Sequence, residues 1–121
     1  MALKFGRHFS ADLYFCQNEI WKNPSDLEAK IRQCNGENPY PDGTFSSKAF
    51  APSGIRVSIQ VSSFFILLQI FTSNRYVAMD LFCWQPEVEL QSFSEAIINL
   101  FEPQVVATGS RIRAEHLMNS N

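Results

Sequence analysis

The sequence is poor in the residue types that build most active sites. Its 121 residues include only two histidines, His8 and His116, and three cysteines, Cys16, Cys34 and Cys83. So few histidines leave little room for a His-based catalyst. Without a Cys-x-x-Cys pair, the cysteines suggest neither a zinc site nor a redox dithiol, and no metal is expected. Their odd number and wide spacing point to a reducing compartment. Five glycines and six prolines are too few for a low-complexity chain, and 45% hydrophobic side chains are too many for a disordered one. Neither sign of charge dominates: ten Lys and Arg against twelve Asp and Glu give a net charge of −2, with no basic stripe to neutralise a run of phosphates. A nucleic-acid partner is therefore not expected. Long hydrophobic runs are also missing. The most apolar stretch, Val57 to Asn74, is interrupted by Ser58, Gln60, Ser62, Ser63, Gln69 and Ser73, so no membrane span is expected. Met1 to Lys4 leads directly into an alternating pattern, which is the expectation for a soluble cytoplasmic protein with no targeting segment.

What the sequence has is phenylalanine, eleven of them, and clear periodicity. Residues 1–121 are expected to form one domain, since a chain this long can fill a single two-layer core but not two. From Phe5 the pattern alternates: Phe9, Ala11, Leu13 and Phe15 face one way, and His8, Ser10, Asp12 and Tyr14 the other. That is a strand. Asn23-Pro24-Ser25-Asp26-Leu27-Glu28 reads as a helix start with Ser25 and Glu28 as a capping box, and Leu27, Ile31 and Cys34 form its apolar stripe. Strands are expected around Phe45 to Phe50, over Val57 to Ser62 and Phe64 to Phe71, and over Tyr76 to Trp84 after a Thr72-Ser73-Asn74-Arg75 turn. Ser92 with Glu95 reads as the cap of a second helix whose apolar face is Phe93, Ile97, Leu100 and Phe101, ended by Pro103. Gln104 to Arg111 is the last strand. The fold class is α+β: a two-layer sandwich of a mainly antiparallel sheet with two helices on one face. Phe64 to Phe71 is apolar on both sides, and two short helices cover only one face, so the other is expected to pack on another subunit.

Three blocks together resemble the prokaryotic S-adenosylmethionine decarboxylases: Gly6-Arg7-His8 with Ala11-Asp12-Leu13-Tyr14 and Cys16, then Phe50-Ala51-Pro52-Ser53-Gly54, then Tyr76-Val77-Ala78-Met79-Asp80-Leu81-Phe82. They fall in register without gaps. The resemblance implies the S-adenosylmethionine decarboxylase fold and a pyruvoyl-dependent enzyme of spermidine synthesis, made as a proenzyme. In that family a serine attacks the preceding peptide bond, β-elimination follows, and the resulting pyruvoyl carbonyl serves as the electron sink for decarboxylation. The motifs are a Glu-Ser-His run, a second His, a Thr-Trp-Pro-Glu run and a proton-donating Cys.

Here the alignment finds none of these. The Glu-Ser-His positions carry Ser63, Phe64 and Phe65, the second His is Gln69, the Thr-Trp-Pro-Glu run is Ile70, Phe71, Thr72 and Ser73, and the Cys is Trp84. Phe64 has no nucleophile to offer, and Gln69 cannot shuttle a proton near neutral pH. Ser63 and Cys83 each lie one position away from a required residue, but a one-residue slip would turn every side chain to the opposite sheet face. No catalytic residue and no pyruvoyl group are expected.

Phe50 matches the family position that stacks on adenine, and its alternative reading is a core residue. Arg56 replaces a small serine and would repel a bound sulfonium. His8 reads as structural, and Asp80 as the partner of a donor such as Arg7 or Tyr14. The functional expectation is a catalytically inactive relative acting as a homodimer, or as a heterodimer with an active paralogue, in polyamine metabolism. The alternatives are a protein that binds or senses a nucleoside such as S-adenosylmethionine, and an enzyme with new chemistry drawn from Asp12, Asp80, Ser62, Ser63 or His8.

Overall fold

The computed structural model describes residues 6–35, 43–50, 52–60, 64–84 and 90–113. Six strands form one sheet: β1 (Gly6–Tyr14), β2 (Thr44–Phe50), β3 (Gly54–Gln60), β4 (Phe64–Phe71), β5 (Tyr76–Cys83) and β6 (Val105–Arg113). Their order is β2-β3-β4-β5-β1-β6, and every pairing is antiparallel. Helices α1 (Pro24–Arg32) and α2 (Leu90–Leu100) make the second layer. This is the α+β sandwich expected from the order of the elements. No helix among the described residues is long and apolar enough to cross a membrane.

Period two decides which face each strand residue takes. In β4 the residues Phe64, Ile66, Leu68 and Ile70 are buried, while Phe65, Leu67, Gln69 and Phe71 are half-buried, and β5 repeats the pattern with Val77, Met79, Leu81 and Cys83 inside. The buried set forms one core with Leu27 and Ile31 of α1, Phe93 and Ile97 of α2, and Phe101 just after it. Strand alternation and helical spacing thus converge on the same layer. The other side of the sheet, called the open face below, carries the half-buried set.

Both helix starts differ from expectation. The α1 cap is Asn23, whose side chain accepts the Asp26 backbone N–H at 3.1 Å with Pro24 at the first helical position, so Ser25 lies inside the first turn. Helix α2 already begins at Leu90, which places Ser92 inside the helix rather than at its cap. The turn between β4 and β5 is a short 3-10 turn, Thr72–Asn74, closed by Arg75 in the left-handed region at φ 52°. The Arg75 guanidinium then ties this turn to the segment after β1: Nε donates to the Cys16 carbonyl at 2.6 Å, Nη2 to the Gln17 carbonyl at 2.8 Å and Nη1 to the Glu19 carboxylate. It also lies over the Trp21 ring. With Lys22 and Arg75 beside it, the Glu19 carboxyl is held below the usual range.

Candidate functional site

Register places the candidate residues in rows across the open face. Phe50 of β2 pairs with Gly54, which pairs with Phe71, which pairs with Tyr76. Their rings continue to Tyr14, with centroids 5.6 Å apart from Phe50 to Phe71, 5.5 Å from Phe71 to Tyr76 and 5.3 Å from Tyr76 to Tyr14. Four aromatic rings therefore line one end of the face. The next row holds Lys48, Arg56, Gln69, Ala78 and Asp12, and the one after it Ser46, Ser58, Leu67, Asp80 and Ser10. Thr44, Gln60, Phe65, Phe82 and His8 complete the far end.

Phe50 is half-buried, and its surroundings are filled by the chain itself. A Cβ added to Gly54 would run into the Phe50 ring, and the Arg56 guanidinium carbon stands 5.4 Å from the ring centroid. Glycine is thus the residue that lets this aromatic lie flat over β3, while Arg56 takes the cation position on its face.

Phe64 points the other way, into the core. It is 1% exposed and meets Phe93 of α2 edge to face, with centroids 5.0 Å apart. Gln69, five residues further along β4, faces the open side beside Arg56. Phe64 pairs with Cys83, so Trp84 lies at the Phe64 end of the sheet, 48% exposed, with its indole over Gly6 where any Cβ would collide. The structure therefore brings Phe64 and Trp84 to one end and Phe50, Arg56 and Gln69 to the other. Cys83 is buried on the helix side, where its sulfur accepts from Arg7 Nη2 at 3.5 Å. Ser62, Ser63 and His116 lie outside the described residues. Ser73 shares a 2.8 Å hydroxyl contact with Ser53.

The partner of Asp80 is neither Arg7 nor Tyr14. Arg7 is on the helix side, Tyr14 stacks on Tyr76, and Asp80 Oδ1 is 2.9 Å from His8 Nε2. His8 also stacks on Phe82, with centroids 4.2 Å apart and planes 8° apart. Tyr76 donates its hydroxyl to Asp12 at 2.5 Å, and this bond, with some burial, pushes the phenol up to about 12. Burial raises the Cys16 and Cys34 thiols to about 11, so neither is a poised nucleophile. No group of three or more His, Cys, Asp or Glu among the described residues could hold a metal. A cleft of about 950 Å³ between α2 and β6 is lined by Arg7, Ser94, Glu95, Ile98, Thr108 and Ser110, on the opposite side of the sheet from Phe50 and Gln69.

The sequence profile of the family described as S-adenosylmethionine decarboxylase matches residues 7–114. The chain belongs to the S-adenosylmethionine decarboxylase family. S-adenosylmethionine decarboxylase proenzymes of Thermotoga petrophila and Thermotoga maritima are each 26% identical to it over 84 residues, 69% of this chain and 65% of theirs. The match thus spans a little under two-thirds of those relatives' length. An adenosylmethionine decarboxylase of Aquifex aeolicus has the same fold, with a TM-score of 0.72 and 16% identity over 93% of this chain and 92% of that one. At position 64 itself the residue present does not fit a pyruvoyl group. That group is made from a hydroxyl-bearing side chain on an accessible peptide, and Phe64 has a hydrocarbon ring sealed under α2.

Proposed function

We propose that this member of the family is catalytically inactive and acts by association, with itself or with an active paralogue, in polyamine metabolism. The observation that carries the reading is Phe64. The position aligned with the processing serine holds a side chain with nothing to attack a carbonyl or to eliminate, and that side chain has become part of the core against Phe93. Gln69 and Trp84 support it from the other aligned positions, since an amide and an indole are poor substitutes for a proton-shuttling imidazole and a thiol. Association is supported by the open face, where Phe65, Leu67, Phe71 and Phe82 are only half-buried by the chain itself. Mixing the chain with the host's active decarboxylase tests the reading: a complex and a changed rate of decarboxylation are expected. No complex and no change in rate, together with a lone monomer, would overturn it.

The nucleoside-binding alternative has one observation in its favour, the half-buried Phe50 ring on the open face. Arg56 over that ring counts against a sulfonium ligand. Calorimetry with S-adenosylmethionine and its decarboxylated form separates the two readings. Heat of binding would favour the alternative, and its absence at millimolar ligand would remove it.

A further inference from the structure

We infer that the outer edge of β6 accepts an added strand, and that this strand is β6 of a second copy, joined antiparallel about Gly109. The surface is separate from the open face, and the inference stands without the association proposed above. β6 comes last in the sheet order and pairs with β1 on one side only, along all nine of its residues. The register runs from Gly6 opposite Arg113 to Tyr14 opposite Val105 without a bulge, so the edge is straight. Such an edge presents a row of backbone N–H and C=O groups to any strand that can match it. The opposite edge, β2, carries the exposed Lys48, a common guard against such pairing. Residues 105–110 of β6 are Val-Val-Ala-Thr-Gly-Ser, uncharged and exposed, with Val105 51% and Val106 42% in solvent.

The sequence of β6 is complementary to its own reverse. Turned antiparallel about Gly109, all nine positions pair: Val106 falls opposite Ile112, Thr108 opposite Ser110, and Arg111 and Arg113 opposite Ala107 and Val105. Apolar β-branched pairs and Thr-Ser pairs are favourable across antiparallel strands. The two copies of position 111 then lie about 13 Å apart along the strands, so the arginines do not meet. A centre two residues later would set Arg111 against Arg111, and one two residues earlier would pair only residues 105–109. Nine facing positions supply about eight backbone hydrogen bonds. The helix layer leaves room for the second copy, because Val106, Thr108 and Ser110 line the cleft between α2 and β6. Each copy has one such edge and the pairing is two-fold, so it closes at two copies instead of growing into a fibre.

Engineered disulfides in the full chain test this. Facing Cα atoms of an antiparallel pair are about 4.5–5.5 Å apart, within the reach of a disulfide, about 4.4–6.8 Å. Gly109→Cys should therefore cross-link to its own copy under mild oxidation at about 50 μM. Val105→Cys, whose two copies would lie about 27 Å apart, should give about fivefold less. Wild type under the same oxidation accounts for any link through the native Cys34. In the double variant Ala107→Cys/Arg111→Cys the thiols face each other between copies but are about 13 Å apart within one, so it should link as well as Gly109→Cys without altering the glycine. Gly109→Lys sets two ammonium groups opposite each other and should raise the dissociation constant of pairing about fivefold in sedimentation equilibrium. An equal mixture of Gly109→Lys and Gly109→Asp should restore it. Far-UV circular dichroism establishes that each variant is folded. Equal linking at positions 105 and 109, or none in either Gly109→Cys or the double variant, overturns the inference. A folded Gly109→Lys chain that associates as wild type does also overturns it. These results leave association through the open face to the rate assay with the active decarboxylase.

Discussion

Placing a serine at position 64 is the sharpest mutational test of the view that this position serves the core. Phe64 is 1% exposed and packs edge to face on Phe93 at 5.0 Å. Truncating a buried phenylalanine costs about 3–5 kcal/mol, lost ring contacts and cavity included. A buried hydroxyl without a partner adds about 1–3 kcal/mol. Phe64→Ser should therefore cost roughly 4–8 kcal/mol, a large share of the about 5–15 kcal/mol that holds a domain of this size together. At about 4 °C per kcal/mol, its melting temperature should fall by roughly 15–30 °C. Guanidinium titration and thermal melting followed by circular dichroism measure the loss, and intact mass of the folded variant measures cleavage. One unbroken, strongly destabilised species is expected, with Phe64→Leu losing less than half as much. A Phe64→Ser chain within about 1 kcal/mol of wild type would refute the packing argument. One that splits in two would refute the argument that the neighbouring chemistry is gone.

Other consequences follow from the framework around the face. Arg75→Ala removes three donor contacts and the cover over Trp21, and with part of that guanidinium in solvent it should cost about 2 kcal/mol in urea titration. Arg75→Gly should recover about 1 kcal/mol of this, because position 75 has φ 52°; equal losses would contradict the backbone part of the account. Asn23→Ala, which removes the α1 cap, should cost about 1 kcal/mol, and an unchanged urea midpoint would place the cap elsewhere. Alkaline pH should weaken the fold. Burial raises the Cys16 and Cys34 thiols to about 11 and the Asp12 hydrogen bond raises the Tyr76 phenol to about 12, so each group is kept in its neutral form by folding. The stability they contribute is present below the unfolded values, about 8.5 for Cys and 10 for Tyr, and is lost as pH rises through the folded ones. The urea midpoint should decline steadily above about pH 9, and a flat profile to pH 11 would contradict this.

The strands were legible because one side of the sheet is fully buried, which forces an alternation such as Val57-Ser58-Ile59-Gln60, where Val57 and Ile59 are buried and Ser58 and Gln60 are not. Helix identity was equally legible from Leu27 and Ile31 and from Phe93, Ile97 and Phe101, all of which are buried. The helix starts were not. Ser25-x-x-Glu28 and Ser92-x-x-Glu95 both have the spacing of a capping box, yet Asn23 before Pro24 takes the first cap and the second helix begins at Leu90. A local pattern cannot say which of two adjacent candidates the backbone uses. The His8–Asp80 pair was missed because it depends on β1 lying beside β5, a contact across 72 positions in the chain. Once those strands are neighbours, the pair is visible: Ser10 registers with Asp80, and His8, two residues away on the same face, is the diagonal neighbour. The Arg75 clamp was hidden for the same reason, since its partners lie beyond the far end of β1.

The central claim is that this decarboxylase-family chain does not process itself. Intact mass spectrometry of the native protein, purified without reducing or nucleophilic additives, reads it directly. A single species near 13.8 kDa is the result predicted. Two fragments summing to that mass, the C-terminal one beginning with a pyruvoyl group in the region of residues 62–64, would contradict it.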